Sequence, residues 1–502
     1  MKPKAQVEFG DFQTPLGLAR EVCQLLARLG IPASTVVEPT CGVGAFLLAA
    51  AESFPGARLM GWDINPEHSE RTMESLKGAG HSGRATVQAA DFFSQDWNSV
   101  MAREPGPILI LGNPPWVTNS GISAIEGTNL PRKSNRAGLR GIEALTGKSN
   151  FDISEWMLGR LLGALGGRMG TIAMLCKTAT ARRFLRQAWR GGPPLGPVSI
   201  YRVDAKAHFG VAVDACLLVA SVGVPGDPEA PVFDRLADTI PSSTMGLQGG
   251  HLVPDLPSYR RLRQFEGACP HSWRSGIKHD CSPIMELHVG DDGALRNQLG
   301  ETVDIEHTRV FPLLKCSDLA HGRSAPVRRV LVPQNRVGED TRQLAHLAPR
   351  TWKYLLSHQA LLNARKSSIY GDQPPFSVFG VGDYSFAPWK VAVSGMHPVP
   401  RFVTVGPVQD RPVLLDDTSY FLSFADEPAA LLVSAILNSR PCLEFLNSLV
   451  FRDAKRPITA DILSRLNLDA LATAAGFADA WGKLGTSKDG SPRQSELALG
   501  LG

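Results

Sequence analysis

The feature that most constrains the fold is an alternation of short apolar strands with helices over residues 1–223. Seven stretches there have the composition of strands, and helical patterns precede or separate most of them. The stretch "PILILG" at 107–112 is apolar on both faces, as central strands of parallel sheets are. This alternation predicts a doubly wound α/β domain whose site lies at the carboxyl ends of the strands.

The character of the sequence changes after "PGDPEAP", residues 225–231, which is typical of a linker. From 231 to 470, prolines, tryptophans and short mixed segments replace the regular alternation, which predicts a second, irregular α+β domain. Residues 476–502 contain the polar segment "GTSKDGSPRQSE" and are predicted to be a disordered tail.

Composition excludes some classes of protein. Of the 502 residues, 43% are hydrophobic and 20% charged, which is ordinary for a globular chain with sizeable cores. No apolar run approaches the ~18 residues of a membrane span, and the N-terminus lacks the apolar region of a signal peptide. We therefore expect a cytoplasmic protein without a membrane partner. The net charge of +4 neither requires nor excludes nucleic acid.

The eight cysteines include no CxxC pair, which predicts reduced thiols and not a disulfide scaffold. Four candidate metal ligands lie close together in "CPHSWRSGIKHDC": Cys269, His271, His279 and Cys281. Because their spacing does not match a zinc finger, we interpret them as core cysteines and polar histidines and predict no metal site.

A basic stretch follows the fourth strand. Residues 127–150 contain one acid, Glu143, and five basic residues: Arg132, Lys133, Arg136, Arg140 and Lys148. It is either a solvated surface segment or a mobile basic loop, within 120–150, that meets a phosphate backbone beside the site. Its position after "NPPW", residues 113–116 at the end of the fourth strand, favours the second interpretation.

The first constellation with chemical meaning is "VVEPTCGVGAFL", residues 36–47. A strand ends at Glu38, and the glycines Gly42 and Gly44 permit a tight turn and close approach of a ligand. The dinucleotide-binding fingerprint needs a third glycine where Leu47 stands, so a pyrophosphate ligand is not favoured. An acid at this strand end suits a ligand with an ammonium group or hydroxyls.

Acids also end the next two strands. Asp63 lies 25 residues after Glu38, at the position where nucleoside-binding α/β folds place a ribose-binding acid. Asp91 ends the third strand; alone it could be a turn residue. Together the three acids predict an adenosine ligand without phosphate, and S-adenosylmethionine has that chemistry.

The fourth strand ends in Asn113-Pro114-Pro115-Trp116. The prolines lack N–H donors and fix the backbone, so the Asn113 side-chain carbonyl and the Pro114 backbone carbonyl can together accept from one amino group. Trp116 offers a flat face, and base–aromatic stacking contributes ~1–3 kcal/mol. The alternative is a proline-bracketed turn with a core tryptophan.

With these motifs the sequence resembles the gamma-class N6-adenine DNA methyltransferases of restriction–modification and phage defence, the class that includes the TaqI enzyme. The resemblance implies a Rossmann-like, S-adenosylmethionine-dependent domain followed by a target-recognition domain. In the family "NPPW" is the catalytic motif, more often with tyrosine as its fourth residue. The resemblance implies a cofactor site at Thr14, Pro15, Glu38, Pro39, Cys41, Gly42, Gly44, Asp63, Ile64, Asp91, Phe92 and Asn113.

Substrate contacts follow from the same resemblance. Phe209 in "KAHFGVAVDACLLV" corresponds to the family's phenylalanine against the flipped adenine, unless it is a core residue. Trp116, Lys133, Arg136 and Lys278 are further candidates for contacts with DNA. Other candidate phosphate contacts, each of which could instead be an ordinary solvated charge, are Lys390, Arg452, Lys455 and Arg456.

The resemblance implies methyl transfer from S-adenosylmethionine to N6 of a flipped adenine in double-stranded DNA. A separate cognate endonuclease or other defence-system subunits are candidate partners. RNA bases and protein glutamine are alternative substrates, since enzymes acting on them share NPP-type motifs. N4-cytosine transfer is less favoured, because that group usually has Ser or Thr in place of Asn113. A non-catalytic binding protein on the same fold is disfavoured by the intact motif.

Overall fold

The computed structural model describes residues 13–116 and 152–486. Its internal contacts divide the chain at Leu256/Pro257 into two units. The predicted linker at 225–231 is therefore not the boundary. The prediction is wrong because the strands between residues 229 and 253 belong to the first unit.

A ten-stranded sheet organises the first unit, in the order β10-β9-β8-β6-β7-β5-β4-β1-β2-β3. The strands β3, β2, β1, β4 and β5 are parallel, and β7 is antiparallel to both β5 and β6. The strands are β1 Thr35–Glu38, β2 Arg58–Asp63, β3 Ala85–Ala89, β4 Ile108–Gly112, β5 Gly170–Lys177, β6 Leu195–Asp204, β7 Asp214–Val222, β8 Glu229–Phe233, β9 Ser243–Gln248 and β10 His251–Val253. The order reverses between β1 and β4, which is where ligands bind in such sheets. The predicted doubly wound fold is confirmed.

Helices of the first unit follow the predicted pattern. They are α1 Leu16–Arg28, α2 Ala45–Ser53, α3 Pro66–Gly78, α4 Trp97–Arg103, α5 Ile153–Leu165, α6 Thr178–Gly191 and α7 Ala205–Phe209, and α8 Leu256–Leu262 begins at the unit boundary. Two helices next to the site begin at side-chain caps, Asn65 for α3 and Asp152 for α5. These caps fix where each helix starts relative to the strand ends.

The boundary was misplaced because no helix lies between β8, β9 and β10 along the chain. β8 runs parallel to β6, with Ile200 opposite Val232, and β9 and β10 extend the same edge as antiparallel hairpin strands. Short strands of mixed polarity carry little periodic signal. A proline-rich connection within one sheet therefore looked like a linker between two domains.

The second unit is α+β, as predicted. It contains a four-stranded sheet, β11-β19-β16-β17, and a five-stranded sheet, β13-β12-β15-β14-β18. The strands are β11 Arg274–Ser275, β12 Glu286–Val289, β13 Leu295–Asn297, β14 Val310–Leu314, β15 Arg328–Leu331, β16 Trp389–Ser394, β17 Val403–Val405, β18 Leu414–Leu415 and β19 Ser419–Phe424. Apolar side chains of these strands form two buried clusters.

Short helices connect and cover these sheets. They are α9 Ser282–Met285, α10 Cys316–Ala320, α11 Leu344–Leu347, α12 Pro349–Ser357, α13 Gln359–Asn363, α14 Glu427–Leu437, α15 Arg440–Leu449, α16 Ala460–Leu463, α17 Leu468–Ala474 and α18 Ala478–Thr486. Single 3₁₀ turns span Ser82–Arg84, Arg263–Phe265, His307–Arg309, Thr341–Gln343, Ser368–Tyr370 and Asp383–Phe386.

The predicted disordered tail begins too early. Residues 478–486 form α18, and Trp481 of that helix donates from Nε1 to Asp469. The part from 487 to 502 lies outside the described residues.

Within 13–116 and 152–486, no single helix is long and apolar enough to cross a membrane. The pair α14–α15 reaches that length and apolarity only when its two helices, bent by 61° at their break, are taken together.

Candidate active site

The site lies at the carboxyl ends of the central parallel strands, where β1 and β4 are neighbours. A Cβ added to Gly112, which ends β4, would lie 3.5 Å from Cγ of Glu38, which ends β1. Asn113, the first residue of the NPPW motif, therefore comes directly after a residue that lies beside the Glu38 side chain. Two motifs that are 75 residues apart along the chain thus meet at one point, as the strand order requires.

Asp63 holds the loop after β1 through backbone hydrogen bonds. Its Oδ2 accepts from the N–H of Gly42 at 2.8 Å, and its Oδ1 accepts from the N–H of Asn65 at 2.9 Å. His68 Nδ1 lies 3.4 Å from Oδ1. A carboxylate has about four acceptor positions, so Asp63 can order this loop and still accept from the hydroxyls of a ribose.

The glycines of the loop are required by their neighbours. Gly42 and Gly44 have φ of +53° and +83°, a region that favours glycine. A Cβ on Gly42 would collide with the Gln13 amide, whose Oε1 accepts from Val43 N–H at 3.0 Å. A Cβ on Gly44 would collide with Thr72, whose hydroxyl donates to Gly42 O at 3.0 Å. Sequence reasoning missed both Gln13 and Thr72, which lie outside the motif.

Glu38 is buried, with 2% of its surface exposed. Burial raises the pKa of its carboxyl well above the ordinary value of 4.5; the N–H of Leu47 opposes this rise and the charge of Asp63 adds to it. Among the described residues, none gives a hydrogen bond to Oε2. A buried carboxyl with an unsatisfied oxygen suits a cationic ligand, whose charge would favour the ionised form.

The remaining predicted cofactor residues surround the same loop. Pro39 and Cys41 are buried, and the Cys41 N–H donates to Trp62 O at 2.7 Å. Ile64, directly after Asp63, is exposed. This position leaves an apolar surface next to Asp63 that a purine ring can cover.

Asp91 and Phe92 form the turn after β3. Asp91 Oδ1 accepts from the N–H of Phe93 at 3.0 Å, so the acid also stabilises its own turn. Phe92 is buried against Trp97, with ring centroids 4.9 Å apart. Asp91 remains partly exposed and stays a predicted residue of the cofactor site.

Asn113 contacts Thr14, a predicted cofactor residue just before α1. Its Nδ2 donates to Oγ1 of Thr14 at 3.3 Å, which orients the amide so that Oδ1 is presented as an acceptor. Pro15, directly before α1, is exposed. Of the two motif prolines, Pro114 is buried and Pro115 is partly exposed. Thr14, a predicted cofactor residue, therefore lies beside the catalytic motif.

Trp116 is more enclosed than a stacking surface needs to be, at 8% exposure. Its indole N–H donates to Leu175 O at 3.3 Å, a bond from a ring nitrogen that tyrosine does not have. Its ring meets that of Phe209 at 5.2 Å between centroids and 71° between planes. The two rings form a corner and cannot both stack face to face on one planar base, so two parallel aromatic walls are not what the structure contains.

Lys177 at the end of β5 was not predicted. Its Nζ donates to Trp116 O and to Asp152 Oδ2, each at 2.8 Å. The one available signal was a charged residue that ends the apolar strand "TIAMLCK". Such a residue can as easily be a solvated strand end, so sequence alone could not select it.

The candidate phosphate contacts have different fates. Lys133 and Arg136, with the basic loop, lie outside the described residues. Lys278 is partly exposed and forms ion pairs with Asp280 at 2.9 Å and Asp417 at 3.8 Å. Arg452, Lys455 and Arg456 are exposed. Lys390 is wrong as a surface contact, because its place in β16 leaves it only 1% exposed.

The cysteine–histidine cluster does not converge. Within the described ranges, no group of three or more His, Cys, Asp or Glu side chains is placed to hold a metal ion. His279 accepts from the Cys281 N–H at Nδ1 and lies 3.5 Å from Glu286 at Nε2. All eight cysteines are free thiols.

Comparison with known proteins decides the family. The chain is 43% identical over 473 residues to the type II methyltransferase M.NspV of a Nostoc species, covering 93% of this chain and 98% of that protein. The chain belongs to the type II methyltransferases. A second relative, M.XamI of Xanthomonas campestris pv. amaranthicola, is 31% identical over 249 residues, which are 49% of this chain and 44% of that protein. No family model matches the chain.

This type II methyltransferase shares its fold with a solved restriction–modification enzyme. The structure of the type IIL enzyme MmeI, determined in complex with DNA, superimposes with a TM-score of 0.54 at 14% identity, covering 97% of this chain and 69% of MmeI. Identity this low supports the fold alone. The predicted Rossmann-like methyltransferase fold is confirmed by this similarity.

The methyl donor of the enzyme is S-adenosylmethionine, and the residues at the strand ends fit it. Glu38 offers a buried carboxyl that could pair with a cationic group, and Asp63 has acceptor positions that could receive ribose hydroxyls. Gly42 and Gly44 let Gln13 and Thr72 pack directly against the loop, because a Cβ at either glycine would collide with them. When bound, the cofactor supplies an electrophilic methyl group.

Proposed function

We propose that this enzyme transfers a methyl group from S-adenosylmethionine to N6 of adenine at a specific sequence in double-stranded DNA, as the modification enzyme of a restriction–modification system. The observation that carries the choice of an amino group is the geometry of Asn113. Its amide donates from Nδ2 to Thr14, and its Oδ1 is the acceptor end of the side chain at the carboxyl end of β4. An exocyclic amine can donate to that oxygen and to the Pro114 carbonyl.

Two acceptors on one amine favour attack by its nitrogen. They hold both N–H groups, so the nitrogen lone pair is directed towards the methyl group of the donor. The donor would supply an electrophilic methyl group, and the Asn113 and Pro114 oxygens would hold the amine while its nitrogen accepts that group and then gives up a proton. This reaction needs positioning and exclusion of water more than a nucleophilic side chain.

The aromatic corner of Trp116 and Phe209 is the proposed receptor for the flipped base. A base can stack on one ring and touch the other, which accords with their angle of 71°. Because Trp116 is largely enclosed, entry of a base requires a local rearrangement at this corner. Flipping is needed because N6 of a paired adenine cannot reach the donor.

The second unit is proposed to recognise the DNA target. It has its own sheets and cores, and Lys278, Arg452 and Lys455 are basic residues with exposed or partly exposed positions there. Lys133 and Arg136 keep their proposed role in phosphate contact. A separate cognate endonuclease is the expected functional partner.

Long-read methylation sequencing of DNA from cells that express the protein tests this proposal, with Asn113→Ala as the control. We expect N6-methyladenine at one short sequence motif for the native protein and none for the variant. New N4-methylcytosine, or no modified base, would overturn the assignment to adenine.

A further inference from the structure

Lys177 contacts both of the described residues that flank segment 117–151. Trp116 is the last described residue before segment 117–151, and Asp152 is the first after it. The Lys177 ammonium donates to the backbone oxygen of Trp116 and to Oδ2 of Asp152, both at 2.8 Å. One side chain thus joins two chain positions that the sequence separates widely.

Each partner of Lys177 is itself fixed. Asp152 is 3% exposed, and its other oxygen caps helix α5 by accepting from the Ser154 N–H at 3.1 Å. Trp116 is held by its side chain as well, through the bond from Nε1 to Leu175 O. Leu175 and Lys177 are both on β5, so the end of this strand contacts Trp116 at its ring and at its backbone.

We propose that Lys177 is a positioning residue for the NPPW motif: it fixes the backbone of Trp116, and through the rigid diproline the carbonyl of Pro114, relative to the helix α5 cap. The inference rests on the proposed function, because it assigns the motif the task of holding an amine. Lys177 does not contact the reacting atoms. Its contribution is the alignment of acceptors that do.

The burial of the Lys177–Asp152 ion pair indicates a positioning role and not that of an exposed surface salt bridge. The Lys177 side chain is 25% exposed while Asp152 is almost fully buried. A pair at this depth contributes little net stability, because desolvation offsets much of the attraction, but it fixes geometry when both groups are hydrogen-bonded. Removing the lysine alone would leave Asp152 as an unpaired buried carboxylate and destabilise the protein.

The test therefore uses the full chain with Lys177→Met, Asp152→Asn and the two combined, and Lys77→Met as a control at an exposed lysine of α3. The measured quantities are kcat and KM for methyl transfer to plasmid DNA, Kd for S-adenosylmethionine, and the thermal unfolding midpoint. In the double variant the amide can still cap α5 and no carboxylate is left unpaired, so its midpoint should return towards that of the native protein.

We expect kcat to fall roughly ten- to hundredfold in both Lys177→Met and the double variant, the size that a misalignment of about 1 Å produces. The Kd for the donor should stay within about threefold and Lys177→Arg should recover part of kcat, since a guanidinium can bridge the same two acceptors. Native kcat in a folded double variant would overturn the inference. If Asn113→Ala also keeps native activity, the proposed function is wrong. If Asn113→Ala is inactive while the double variant keeps native kcat, only the proposed role of Lys177 is wrong.

Discussion

The Asn113 amide and the Thr14 hydroxyl are joined by a hydrogen bond of 3.3 Å between Nδ2 and Oγ1. This bond links a residue just before the first helix to the motif after β4. It turns Nδ2 of the Asn113 amide towards Thr14, so that Oδ1 is the end that can accept from a substrate amine. Thr14 therefore contributes to the orientation of the proposed catalytic oxygen, in addition to its expected place in the cofactor site.

Thr14→Val should lower kcat by about tenfold, because it keeps the shape of the side chain and removes the oxygen that accepts from Asn113. Thr14→Ser is the matched control and should retain most of the activity. The measurement is methyl transfer at saturating donor and DNA. Equal kcat for the valine and serine variants would show that this bond does not orient the amide.

Asp63→Ala should weaken binding of S-adenosylmethionine by at least about tenfold. The change removes the acceptor for Gly42 N–H as well as the proposed ribose acceptors, and a hydrogen bond to a charged group contributes about 1.5–3 kcal/mol. Glu74→Ala, at an exposed acid of α3, should leave Kd unchanged. Titration calorimetry on the native protein and both variants measures the difference.

Affinity for the donor should fall as the pH is lowered through the pKa of Glu38. Burial raises that pKa in the free protein, so at acidic pH the carboxyl carries a proton. A bound cation favours the ionised form, so binding releases this proton and is strongest above the free-state pKa. Calorimetry in buffers of different ionisation enthalpy counts the released proton. Glu38→Gln should bind more weakly and lose this pH-dependent component; an unchanged proton release would contradict the role of Glu38.

Trp116→Phe should keep clearly more activity than Trp116→Ala, by roughly tenfold in kcat/KM, because base stacking contributes about 1–3 kcal/mol. Both variants lose the bond from the indole N–H to Leu175 O, so their comparison isolates the aromatic face. Equal kcat/KM values for the two would show that Trp116 is only a core residue.

Lys390 should make stability depend on pH. Its burial in β16 lowers its pKa from 10.5 to about 7, although Nζ donates to Ala387 O at 2.6 Å. Between these two values the unfolded chain binds a proton that the folded chain does not, so stability rises with pH by up to about 1.4 kcal/mol per unit. Lys390→Met should raise the unfolding midpoint at neutral pH and remove this dependence. Denaturation series at several pH values, with Lys455→Met as the exposed control, measure it.

The strand-end acids and the NPPW motif could be found from sequence, because buried parallel strands bring their carboxyl ends to one edge. Contacts between elements could not. Lys177 and Thr72 act through residues distant in sequence, and no local pattern records such pairs. Lys390 shows the converse: a lysine in a mixed segment looks solvated until its strand is placed in a sheet. The boundary at Leu256 was missed because no helix separates the strands β8, β9 and β10 along the chain.

The most direct test of the central claim is mass spectrometry of nucleosides from DNA methylated by the purified protein with isotopically labelled S-adenosylmethionine. Native protein and Asn113→Ala are compared on the same DNA. We expect labelled N6-methyladenine with the native protein and none with the variant. Label in N4-methylcytosine, or N6-methyladenine formed equally by Asn113→Ala, would contradict it.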